Sequence, residues 1–133
     1  MAELPDPLPH EAALAAGADA ARPEAVDRQH GRGKRTARER IALLVDEGSF
    51  HEIGALARPE EPGPSGETLY ADAVVTGTAR IDERPVVVLA TDYTVAGGSN
   101  GLIGNEKHRR AWEIAATRGI PVVMLFDGGG HRI

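Results

Sequence analysis

The sequence contains no cysteine. That excludes a disulfide framework, a thiolate metal site and a thiol nucleophile, and it fits a reducing, cytoplasmic setting. Aromatic residues make up only 4% of the 133 positions, so a core has to be built from Val, Ile, Leu and Ala. Excess positive charge is also lacking: the net charge of -5 argues against general nucleic-acid binding. No run of about 18 apolar residues occurs, so no membrane span is expected. A secretory signal is missing too, because MAELPDPLPH opens with Glu3 and Asp6 among its prolines and reads as an extended arm. No repeat appears at the periods of solenoids or propellers, and the length suits about one domain.

What is present is an ordered alternation of helical and strand-like segments. EAALAAGADAARPEAVDRQHGRG is alanine-rich and predicts short helices over residues 11–21 and 24–30, interrupted by Gly17, Pro23, Gly31 and Gly33. In TARERIALLVDEGSF, Thr36 and Glu39 have capping-box spacing, so hydroxyl and carboxylate can each satisfy an orphan backbone donor. Ile41, Leu44 and Val45 then share a face, with Leu43 nearby, and Gly48 is expected to stop the helix. FHEIGALA reads as a short strand, and RPEEPGPSGE as a loop. LYADAVVTGTARI and RPVVVLATDYTV are rich in β-branched residues, with Asp82 and Glu83 at the turn of an expected hairpin. NEKHRRAWEIAATRG predicts a helix stopped at Gly119, with Trp112 and Ala115–Ala116 on or near its inner face. IPVVMLF follows as a short apolar strand, and the order strand, glycine loop, helix, strand suggests an α/β layer with buried strands.

Two strands run straight into glycines: the first into AGGSNG, the second into DGGGHRI. Glycine lets a ligand approach the backbone itself, and its peptide N–H groups can then point outward as donors. Two such donors on one oxygen form an oxyanion hole, where losing one donor costs roughly 10²–10³ in rate. A tight turn leaving a sheet is the commoner reading of such a glycine pair, and two clusters after two parallel-type strands shift it only modestly toward a site. Other motif readings are weaker. GSNGLIG is not the G-x-G-x-x-G dinucleotide turn, and no phosphate-loop lysine follows. A helix starting near Gly104 offers free N–H groups to a phosphate. Ser99 lacks a G-x-S-x-G elbow and reads as a loop hydrogen-bonder. His10, His30, His51, His108 and His131 have no metal-ligand spacing, and only His131 adjoins a candidate site. RQHGRGKRTARER gathers Arg28, Arg32, Lys34, Arg35, Arg38 and Arg40 against one Glu; it is either a solvated face or a landing site for the phosphates of a charged cofactor.

Taken together, KRTARERIALLVDEGSFHEIG, ADAVVTGTARIDERPVVVLATDYTVAGGSNG and EKHRRAWEIAATRGIPVVMLFDGGGHRI resemble the N-terminal part of the carboxyltransferase (β) subunit of biotin-dependent acyl-CoA carboxylases. The likeness is collinear over residues 34–133 and leaves 1–33 as an N-terminal arm, partly flexible or helical. It implies an α/β, crotonase-like fold: a β-β-α spiral with sheets stacked roughly at right angles and helices outside. It further implies that this chain is an incomplete half-domain, cut at its glycine turn, of a subunit that continues much further.

The activity implied by the resemblance is transfer of a carboxyl group from carboxybiotin, carried on a separate domain, to the α-carbon of an acyl-CoA. The thioester passes through an enolate whose oxygen needs donors. Gly128 to Arg132 stand where the family has S-G-G-A-R, which makes Gly129 and Gly130 the implied hole. Gly97, Gly98 and Ser99 match the family's G-G-S loop on the acyl-CoA side. The α-proton leaves to the biotin, so no carboxylate or histidine base is required. A biotin carboxylase or carrier subunit and further copies of the full-length subunit are the implied partners, with no nucleic acid and no membrane. Three residues depart from the pattern: Gly128 replaces Ser, His131 replaces Ala, and Gly104 stands where a His is frequent. GGSNGLIG is nearer the acetyl-CoA type and KHRRAWEIA resembles the methylcrotonyl type, so the acyl chain length stays open. A biotin-dependent decarboxylase and a non-catalytic CoA-binding or assembly module are the alternatives.

Overall fold

The computed structural model describes residues 9–133, so of the expected 1–33 arm only residues 1–8, most of the proline-rich MAELPDPLPH stretch, lie outside the described residues. The first helix, α1, spans Pro9–Gly17, and a 3-10 turn at Asp19–Ala21 separates it from α2, Pro23–Gly31. The expected 11–21 helix therefore ends at Gly17, and α2 starts on Pro23, whose fixed φ suits a first helical position. Helix α3, Ala37–Leu44, carries the anticipated capping box: Glu39 N–H donates to the Thr36 hydroxyl at 3.1 Å, and Thr36 N–H donates to the Glu39 carboxylate at 3.0 Å. Ala37 and Ile41 are buried, and Leu44 and Val45 pack against the same cluster, whereas Leu43 is exposed.

Gly48 does not stop α3. Val45 already turns extended, because the chain is pulled away by a tertiary contact. Asp46 N–H donates to the Arg80 carbonyl at 2.8 Å, and the Asp46 carboxylate accepts the amides of Asp82 and Glu83 at 2.9 and 2.8 Å. Those two residues connect β2, Val74–Ile81, to β3, Arg84–Thr91, in the expected hairpin. Both are left-handed (φ 48° and 67°), which lets a two-residue turn match the strand twist.

The sheet has four strands in the order β1-β2-β3-β4, with β1 at His51–Ile53 and β4 at Val122–Leu125. The first two pairings are antiparallel; β4 lies parallel to β3, joined through α4, Leu102–Arg118. β3 is covered on both sides. Val86, Val88 and Ala90 face α3 with Val75, Ala79 and Ile41, while Val87 and Leu89 face α4 with Ala111 and Ala115. Period-two alternation thus appears as two buried faces, which is why the segment reads as a continuous apolar run.

Helix α4 ends at Gly119 as expected (φ 64°) but begins three residues before Asn105. Its buried line is Gly104, Lys107, Ala111 and Ala115, small residues apart from the lysine, so Trp112 turns outward and is 51% exposed. Ala116 is exposed as well. Among the described residues there is one sheet; the second, crossed sheet implied by the resemblance is not within them.

Candidate functional site

Because β3 and β4 are parallel neighbours, the two glycine segments leave the same end of the sheet side by side. They touch backbone to backbone. A Cβ on Gly98 would lie 2.4 Å from the Asp127 carbonyl oxygen and 2.7 Å from Gly128 Cα, and one on Gly128 would lie 2.5 Å from the Gly98 oxygen. Only glycine on both turns permits this approach. Three hydrogen bonds seal it: Gly129 N–H to the Gly97 carbonyl at 3.0 Å, Asn100 N–H to Gly130 at 3.0 Å, and Arg132 N–H to Asn100 at 2.8 Å.

This pairing separates the implied site residues. The Gly129 amide is committed to Gly97. The Gly130 and His131 amides have no partner among the described residues, and Gly130 is held at φ +98°. The Ser99 hydroxyl donates to the Ala96 carbonyl at 2.7 Å, which closes its own turn and supports the loop-bonding role over a nucleophile. Gly97 is half-buried, and its carbonyl is the acceptor that docks Gly129.

A cavity of about 270 Å³ opens between the turns, bordered by Thr91, Gly98, Asn100, His108, Phe126, Gly128, Gly130 and His131. His108 was invisible as a site residue in the sequence. It stands four residues after Gly104 on α4, on the same side of the helix as that buried glycine, and borders the cavity with the glycines. Burial holds its imidazole below the ordinary value of 6.5, and His131 and Lys107 push it the same way, so it is neutral at neutral pH. Its Nε2 is enclosed and unpartnered.

Asp127, at the exit of β4, accepts from Gln29 Nε2 at 2.8 Å and Lys34 Nζ at 2.9 Å, while its own N–H donates to the Thr91 hydroxyl. Burial alone would raise its pKa, but Lys34, Gln29 and Arg40 together hold it below the usual value. The basic stretch divides accordingly. Lys34 binds Asp127, Arg38 binds Glu52, and Arg40 donates to the Thr91 carbonyl. Arg28 and Arg32 instead border a second cavity, about 350 Å³, with Tyr93, Ala96 and Gly97 on the far side of the first turn. The Arg32 guanidinium lies 5.2 Å from the Tyr93 ring centroid.

The phosphate reading of the α4 N-terminus is overturned. The buried Asp72 carboxylate already accepts Gly101 N–H at 2.9 Å and Gly104 N–H at 2.6 Å. Gly104 is needed for this, since a Cβ there would meet Asn100 Cβ at 2.6 Å; the histidine frequent in the family has no room here. Asp72 gave no sequence signal, lying between two alanines in a strand-like run.

Known proteins resemble this chain in sequence and in fold. A propionyl-CoA carboxylase beta chain from Saccharopolyspora erythraea is 46% identical over 111 residues, which is 82% of this chain and 20% of that protein. Methylmalonyl-CoA decarboxylase subunit alpha from Propionigenium modestum is 42% identical over 110 residues, 81% of this chain and 21% of that protein. A transcarboxylase 12S crystal structure, a hexamer with methylmalonyl-coenzyme A and methylmalonic acid bound, superposes with a TM-score of 0.79 at 36% identity, covering 92% of this chain and 24% of that one. The chain thus spans about a fifth of the length of the curated relatives it matches. Its fold is the crotonase-like fold of the carboxyltransferases, of which it covers part of a domain. The carboxyl transferase domain matches residues 28–133, and the chain belongs to that family, the biotin-dependent acyl-CoA carboxyltransferases.

Proposed function

We propose that this chain forms the acyl-CoA side of a carboxyltransferase site, which moves a carboxyl group from carboxybiotin to the α-carbon of an acyl-CoA through the thioester enolate. The observation that carries this reading is the pair of glycine turns locked backbone to backbone, with the Gly130 and His131 amides left unpartnered beside a cavity. Consecutive free amides are suited to an oxygen that gains negative charge, and being fixed by the neighbouring turn they need no reorganisation as the charge develops. Gly130 keeps its implied role, His131 contributes through its backbone, and Gly129 docks the turn.

The cavity lining suits a carboxylated substrate. It offers amide N–H groups, two imidazoles and Asn100, and no carboxylate stands among its lining residues. Carboxybiotin supplies the carboxyl group when bound. Phe126 gives the cavity an apolar wall and Gly98 borders it without a side chain, and in the neighbouring cavity Arg28 and Arg32, beside Glu67, offer positive charge to the phosphates of a CoA. A biotin-carrier partner and assembly with further copies of the full subunit belong to the same proposal. The match to methylmalonyl-CoA decarboxylase subunit alpha favours a second reading of the same cavity, in which the carboxyl group leaves the acyl-CoA.

The intact protein is expected to exchange a carboxyl group between a biotin carrier and propionyl-CoA or acetyl-CoA; no exchange in either direction refutes the reading. Gly130→Pro removes the donor N–H and cannot hold φ +98°, so it is expected to lower kcat by at least roughly 10². Near-normal kcat in the folded variant would remove Gly130 from the mechanism.

A further inference from the structure

We propose that Asp72 is the positioning residue that fixes the spacing of the two glycine turns, working through Arg132. This rests on the carboxyltransferase reading. Asp72 is 0% exposed and uses both carboxylate oxygens. Oδ2 accepts the amides of Gly101 and Gly104, which ends the first glycine turn and starts α4. Oδ1 accepts Arg132 Nη2, and Arg132 Nη1 donates to the Ser99 carbonyl. Arg132 also ties its backbone N–H to Asn100 at 2.8 Å. One buried carboxylate therefore grips the end of the first turn with two amides and the end of the second with a guanidinium. The free amides of Gly130 and His131 immediately precede the clamped Arg132.

The backbone that presents Asp72 is itself unusual. Ala71, Asp72 and Ala73 are left-handed in succession, at φ 52°, 49° and 59°, without a glycine among them. Such a conformation persists only where its surroundings over-determine it, and it concentrates at functional sites. Here it is held from outside: Lys107 Nζ donates to the carbonyls of Ala71, at 2.9 Å, and of Val74, and Asp92 N–H donates to the Ala73 carbonyl at 2.8 Å. Residues from α4 and from the exit of β3 thus brace the turn that carries the carboxylate. A position serving only to cap α4 would not require the link to Arg132, nor the strained approach that lets one side chain reach both turns.

The test is Asp72→Asn in the intact protein. Asparagine keeps the shape and can still accept an amide, but it turns an N–H₂ or a neutral oxygen toward Arg132. Displacing the turns without emptying the CoA site should lower kcat by about 10²-fold while KM for acyl-CoA moves far less. In a double-variant cycle with Arg132→Gln, the combined loss should be no larger than that of the worse single variant, because both act through one link. An unchanged kcat in folded Asp72→Asn, equal changes in kcat and KM, or additive losses would overturn the proposal. If Asp72→Asn does not fold, Arg132→Gln alone has to reproduce the kcat loss, and normal turnover in it is refuting.

Amide hydrogen exchange separates this proposal from the functional reading, because it needs no turnover. Exchange at the hydrogen-bonded Gly129, Asn100 and Arg132 amides, which seal the two turns together, should be faster in either variant than in the parent protein, and unchanged exchange refutes the clamp. Absence of carboxyl transfer in the parent protein refutes the functional reading and leaves the exchange result to decide the clamp.

Discussion

Lys107 shows how one residue can be read only after the fold is known. It is 7% exposed and donates to two carbonyls of the left-handed turn. Burial drives its pKa down to about 8 from 10.5, against the opposing pull of Glu52. The unfolded chain keeps the proton up to about pH 10.5, whereas the folded chain gives it up near pH 8. Between those values the unfolded state binds more protons, so stability attributable to Lys107 rises with pH across that window. A neutral amine still has two N–H groups for its two carbonyls, so deprotonation leaves both acceptors satisfied. Denaturant unfolding of the parent protein and of Lys107→Met, compared at pH 7.5 and pH 10, is expected to show the parent gaining on the variant. A pH-independent difference would mean that Lys107 titrates normally. Nothing in the sequence singles out this lysine: the stretch from Asn105 predicts a helix with Trp112 and Ala115–Ala116 on or near its inner face. Small residues at Gly104, Ala111 and Ala115 marked the true buried line, but the stripe is too weakly hydrophobic to stand out.

At the scale of elements, the strands and their order were legible because β-branched runs, a two-residue turn and glycine punctuation all agree. Boundaries were not. The end of α3 is decided by Asp46 binding the β2–β3 turn, residues more than thirty positions away, while the local sequence pointed to Gly48. The central strand tests the two-faced core directly. Leu89 is 2% exposed and packs against Ala111 and Ala115, small residues with little side chain to move into a vacated space. Leu89→Ala is expected to cost about 2–5 kcal/mol in chemical denaturation. A loss below about 1 kcal/mol would show that α4 closes onto the sheet and refills the gap.

For the molecule as a whole, the decisive contacts join residues far apart in sequence: Gln29 to Asp127, Lys34 to Asp127, and Asp72 to Arg132. The glycine clusters could be recognised one at a time from the sequence, but not their mutual contact, which depends on β3 and β4 being parallel neighbours. That contact has a measurable consequence. Gly33 and Gly98 share nearly the same left-handed φ, +73° and +71°, but a Cβ at Gly33 meets nothing within 4 Å, whereas one at Gly98 strikes the Asp127 carbonyl and Gly128. Alanine at either position imposes a comparable backbone penalty, so the difference between the two variants isolates the cost of forcing the turns apart. Overpacking of this kind costs about 1–3 kcal/mol, so Gly98→Ala should be less stable than Gly33→Ala by that amount. It should also lose carboxyl transfer by about 10²-fold, while Gly33→Ala retains it, because separating the turns moves the Gly130 and His131 amides away from the oxygen they are placed to meet. Equal stability and equal activity in the two variants would mean that the glycines serve only their own turns, and that the paired-turn geometry is dispensable to the site.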